Sequence, residues 1–76
     1  MRMFRKKYET PIEAVYEYLC EDYRLPYTGV IKIVKDPMKI KVEKPADGEW
    51  NEKKAEFSAL ALVRNKYPKT YTHSAV

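Results

Sequence analysis

The chain has one cysteine, one histidine and two glycines among its 76 residues. A single cysteine, Cys20, forbids an intramolecular disulfide and fits a reducing, intracellular and cytoplasmic setting. Two glycines leave no glycine-rich phosphate loop, and one histidine with one cysteine cannot assemble a zinc site. No apolar run approaches the roughly 18 residues of a membrane span. Residues 1–8 are basic and lack the apolar stretch of a secretory signal. Ser58 and Ser74 have no base placed to activate them. Helical carboxylates four residues apart offer a hard cation too few ligands, and their environments look too alike for paired acid–base work. The expectation is a non-enzymatic protein with no catalytic residue, no cofactor and no metal.

Apolar residues make up 45% of the chain, an ordinary share for a globular protein, and the net charge is +4. That charge permits an anionic partner without requiring one. At this length there is one domain with a thin margin of stability, which a dimer contact or a bound partner would widen. Residues 10–67 are expected to form it. Residues 1–9 read as a basic arm or an edge strand, and residues 68–76 as a flexible tail.

Charge is sorted along the chain. Residues 10–24 carry Glu13, Glu17, Glu21 and Asp22 against Arg24, a local balance of −3. Thr10-Pro11-Ile12-Glu13 has the form of a helix start: Thr10 accepts from the Glu13 amide, and proline stands at the first helical position. Ile12, Val15, Tyr16, Leu19, Cys20 and Tyr23 then follow at helical spacing, and Glu13, Glu17 and Glu21 share the far face. Leu25-Pro26 ends the segment. Cys20 falls beside Tyr16 on the apolar face and reads as a small buried residue, with acidic sequence neighbours that disfavour a thiolate.

Residues 29–45 carry five lysines against Asp36 and Glu43, a local balance of +3. Gly29–Lys35 and Lys39–Glu43 read as strands joined by a turn at Asp36-Pro37-Met38. Ile31, Ile33, Ile40 and Val42 then share the buried face, and Lys32, Lys39 and Lys41 share the other with Glu43. Pro45–Gly48 is a second turn signal, after which Glu49-Trp50 reads as a brief third strand. Asn51 suits the N-cap of a last helix running to about Tyr67. That helix is apolar around more than half its circumference, which implies cover from the sheet and from the first helix or a second subunit. The fold expected is α+β, two helices packed on one face of a small antiparallel sheet.

The order helix, strand, strand, third strand, helix resembles a double-stranded RNA-binding domain over residues 10–67. Thr10-Pro11-Ile12-Glu13 with Tyr18-Leu19-Cys20 is similar to that family's first helix. Gly48, then Asn51-Glu52-Lys53-Lys54-Ala55 with Ser58, Ala59, Leu62 and Val63, is similar to its closing segment. The resemblance implies that Lys53 and Lys54 meet phosphates and that the small residues pack on the sheet. The sheet segment is about ten residues short of that pattern, and the first helix is strongly acidic.

Two binding functions follow. Arg2, Arg5, Lys6 and Lys7 in the arm, Lys32, Lys39 and Lys41 in the hairpin, and Lys53 and Lys54 at the helix start suit RNA or DNA. Tyr8, Tyr27 and Trp50 add stacking surface. The alternative is a protein partner. A regulatory or accessory protein, of the kind phages and viruses carry, would bind a larger cellular machine through Glu13, Glu17 and Glu21 or through an aromatic surface containing Trp50. The apolar last helix also suits a homodimer.

Overall fold

The computed structural model describes residues 1–20 and 26–73. Its elements are β1 (Arg2–Glu9), β2 (Glu13–Cys20), β3 (Gly29–Lys35), β4 (Met38–Lys44), α1 (Glu52–Arg64) and β5 (Thr70–His73). The five strands form one antiparallel sheet in the order β4-β3-β2-β1-β5. α1 packs on one face of it. This corrects the expectation of two helices on a small sheet. It also removes the resemblance to a double-stranded RNA-binding domain, whose first helix has no counterpart among the described residues.

The segment expected as the first helix is β2, third of five strands and paired on both sides. Its sequence supports two periods at once. Ala14, Tyr16, Tyr18 and Cys20 alternate onto the helix-covered face and are all buried, while Glu13, Val15, Glu17 and Leu19 alternate onto the other. Val15 and Leu19, which a helix would have placed beside Tyr16, are buried on that second face. Val15 stands in register between Tyr8 and Lys32, and Leu19 beside Met3. A central strand buries both faces, so a nearly continuous apolar run suits it, and its tyrosines and valine favour the pleat.

The helix-start signal was real hydrogen bonding in a different setting. Thr10 Oγ1 accepts from the Ile12 and Glu13 amides at 3.2 and 3.1 Å, and the Thr10 amide donates to the Glu13 carbonyl at 2.8 Å. These bonds close the β1–β2 hairpin. A hydroxyl that satisfies the amides two and three residues on serves a turn as well as a helix.

The β3–β4 hairpin follows its expected pattern. Ile31 stands opposite Val42, Ile33 opposite Ile40 and Lys32 opposite Lys41, around a cis Asp36–Pro37 turn. Gly29 is required by packing. It stands opposite Tyr18, and a β-carbon there would overlap the Tyr18 ring and the Ala46 amide nitrogen. Tyr18 also stacks on Phe4 at 5.8 Å between ring centres, and Phe4 meets Tyr16 edge-on.

Gly48 takes the left-handed conformation (φ 81°) in the second turn. Glu49-Trp50 forms no strand and leads directly to the N-cap Asn51, whose side chain accepts from the Lys54 amide at 3.2 Å. α1 buries Ala55, Ser58, Ala59 and Leu62, a stripe whose small residues let the helix approach the sheet. It ends at Arg64, before the expected Tyr67. Lys66 and Tyr67 both turn left-handed, and the Tyr67 amide donates to the Leu62 carbonyl at 2.8 Å. Beyond Pro68 the segment expected as a tail contributes β5, which pairs with β1. Residues 1–9, expected as arm or edge strand, thus form a strand with a neighbour on each side. Tyr16, fully buried on the helix-covered face, donates its hydroxyl proton to the Pro68 carbonyl at 2.6 Å.

Candidate functional site

Charges that lie apart in the sequence are brought onto one surface. Arg5, Lys32, Lys39 and Lys41 lie on the sheet face opposite α1, and so do Glu13, Glu17 and Glu43. Arg5 meets Glu17 at 3.0 Å and lies over the Tyr27 ring at 4.4 Å. Lys32 meets Glu13 at 3.3 Å, and the Tyr8 hydroxyl donates to Glu13 at 2.9 Å. The bonds from Tyr8 and Lys32 hold the Glu13 carboxyl below its ordinary pKa, and Glu13 raises that of Lys32. The acidic helix and the separate basic hairpin are therefore one cross-paired face. Glu21, the third acidic site residue, lies outside the described residues, as do Asp22, Tyr23, Arg24 and Leu25.

The other basic residues divide further. Arg2 points into the protein and makes a two-pronged ion pair with Glu49 at 3.0 and 2.7 Å; the side chains are 6% and 0% exposed. Glu49 also accepts from the Tyr18 hydroxyl and the Asn51 amide, each at 3.0 Å. Burial alone would raise the Glu49 pKa, but these donors, Arg2 foremost, bring it down to about 2. Arg2 is thus a structural cation. Lys6 pairs with Glu9 at 2.7 Å, and Glu9 also holds Lys35, whose ammonium lies over Tyr67. Lys7, the extra residue of a bulge in β1, is exposed. Among the described residues, Lys7, Lys39, Lys41, Lys44, Lys53, Lys54, Arg64, Lys66 and Lys69 have no ion-pair partner. Lys54 lies over the Trp50 ring at 5.1 Å.

A second surface lies where β4 meets α1. Met38, Ile40, Lys53, Glu56, Phe57 and Leu60 line an open groove of about 380 Å³. Phe57 is 68% exposed, Met38 50% and Trp50, at the start of the helix, 75%. Residues 13–20 of the expected first helix are strand β2, so no helix among the described residues covers the outer side of α1. Sequence reasoning missed Met38 and Phe57. The signal for Phe57 was there: Ala55, Ser58, Ala59 and Leu62 follow the i, i+3, i+4, i+7 spacing of a buried stripe, which leaves Phe57 outside it. Glu49 had no comparable signal, because a loop carries it to Arg2 across 47 positions.

The thiol of Cys20 is buried, and burial pushes its pKa up, as expected for a structural cysteine. Among the described residues no group of His, Cys, Asp or Glu is arranged to hold a metal ion. Nor is any helix among them long and apolar enough to cross a membrane. Compared with known protein families, with curated proteins and with solved structures, the chain matches none.

Proposed function

We propose that this protein is a non-catalytic binding module that holds a partner protein against the surface between β4 and α1. One observation carries the reading: Met38, Ile40, Phe57 and Leu60 line a single groove, with Trp50 at the start of the same helix. Scattered apolar side chains are ordinary on a surface, whereas contiguous ones mark contact sites. Burying a side chain the size of Met38 or Phe57 stabilises a complex by about 1.5–3 kcal/mol before the losses of association are subtracted. Aromatic residues and methionine are also the types that anchor interface cores.

The test is selection of binders from a random-peptide display library on the immobilised protein. Selected peptides are expected to lose at least tenfold in affinity against Phe57→Glu and against Met38→Glu. Circular dichroism should show both variants folded, since both side chains are exposed. Failure to enrich any binder, or binders indifferent to both changes, would refute the reading.

Lys39, Lys41, Lys53 and Lys54 favour a second reading, nucleic-acid binding, because no carboxylate neutralises them. Four phosphate contacts predict a fall of roughly 150-fold in duplex affinity between about 50 and 200 mM salt. Fluorescence anisotropy with duplex RNA, duplex DNA and single-stranded RNA measures it. Reversing the four lysines to glutamate should abolish the binding; binding that survives the reversal removes this reading.

A further inference from the structure

β4 is an edge strand, and its pleat separates two chemistries. Lys39 and Lys41 stand opposite Val34 and Lys32 on the open face, while Ile40 and Val42 stand opposite Ile33 and Ile31 on the face toward α1. The Val42 amide points away from β3, since it donates to the Glu56 carboxylate at 3.4 Å. Strand alternation sends the Ile40 amide and carbonyl outward as well. Among the described residues no strand pairs with this edge. The apolar groove opens beside it, on the side of Ile40.

We propose that the β4 edge accepts a sixth strand from a partner protein, and that this strand alternates apolar and acidic residues. The proposal rests on the protein-binding reading above. A strand laid along β4 satisfies the outward amides and carbonyls of Ile40 and Val42, with its peptide carbonyl replacing the Glu56 carboxylate. The period of two then turns alternate side chains to opposite faces. Those toward α1 enter the groove beside Ile40, Phe57 and Leu60, where apolar groups fit. Those on the open face come beside Lys39 and Lys41, where carboxylates fit.

Charge also weighs against a second copy whose β4 pairs around Ile40. β4 carries three lysines against one glutamate. An antiparallel pairing of two β4 strands that sets Ile40 opposite Met38, Ile40 or Val42 puts a lysine directly opposite a lysine. Like charges so placed are destabilising.

The probe is a capped, fluorescent peptide of about eight residues alternating valine and glutamate, long enough to span the strand. Binding to the wild-type protein is expected by anisotropy. The double variant Lys39→Glu/Lys41→Glu should weaken it at least tenfold and instead bind a valine–lysine peptide. Glu56→Ala should tighten it, by freeing the Val42 amide and removing a like charge. Backbone N-methylation gives the decisive readout. One alternate set of peptide amides faces β4 and the other faces solvent, so methylating one set should abolish binding and methylating the other should leave it within about threefold.

Equal tolerance of both methylated peptides would overturn strand addition, as would no binding at millimolar peptide. Self-association dependent on Phe57, seen by sedimentation, would overturn it in favour of a second copy. Selected display peptides that need Phe57 but lack the alternating pattern would leave the protein-binding reading standing and remove this proposal alone.

Discussion

Replacing Glu49 with glutamine removes the charge from the most buried ion pair described in this fold. The wild-type carboxyl is held at about 2 against an ordinary 4.5. At about 1.4 kcal/mol per pH unit, that difference is about 3 kcal/mol of folding free energy. Glutamine keeps one acceptor oxygen, enough for the Tyr18 hydroxyl or the Asn51 amide but not both, since they bond different carboxylate oxygens, and it leaves the Arg2 guanidinium buried without a counter-charge. Breaking a buried pair in this way destabilises by about 3–5 kcal/mol. A domain of this size is expected to hold only about 4–11 kcal/mol in total, so the variant should sit close to unfolding. Urea titration followed by circular dichroism at neutral pH measures the loss. Adding Arg2→Met removes the stranded cation and should recover about 1–2 kcal/mol. The pH dependence has a defined sign. A folded pKa below the unfolded one gives stability that is full above about 4.5 and is lost as pH falls toward 2. Glu9, lowered by Lys35 and Lys6, and Glu13 act in the same direction. Glu49→Gln should lack the largest part of this acid loss. A neutral-pH cost below about 1 kcal/mol, or an acid profile as steep as wild type, would refute the reasoning.

Gly29→Ala should cost about 1–3 kcal/mol, read as a lower melting temperature, because the new methyl overlaps the Tyr18 ring and the Ala46 amide. Tyr16→Phe should cost about 1–2 kcal/mol in the same assay by leaving the Pro68 carbonyl without its donor. Trp50, the only tryptophan, is largely exposed. Its fluorescence should be red-shifted and readily quenched by iodide, and Trp50→Ala should change stability by no more than about 0.5 kcal/mol.

Legibility followed how local the governing interactions are. The β3–β4 hairpin was readable because strict alternation and a proline turn act within a few residues. The Asn51 cap and the Pro45–Gly48 turn were readable for the same reason. Residues 13–20 were not, since their apolar positions satisfy a period of 3.6 and a period of 2 together. The Thr10 hydroxyl bonds, which look like a helix start, serve the hairpin equally. β5 was invisible because four residues, two of them threonine, gain their order by pairing with β1 at the other end of the chain.

For the site, sequence alone determined which residues are charged or aromatic and which share a face of the β3–β4 hairpin. Periodicity settles that before any tertiary contact forms. Only the tertiary structure decided which charges remain without a partner. Making residues 13–20 a strand carried Glu13 and Glu17 from a separate acidic helix onto the lysine face, where they pair with Lys32 and Arg5. The same choice leaves α1 without a helical neighbour among the described residues and Phe57 exposed beside the β4 edge. Pairing across a sheet depends on strand order and register, and neither is a property of any one segment of the chain.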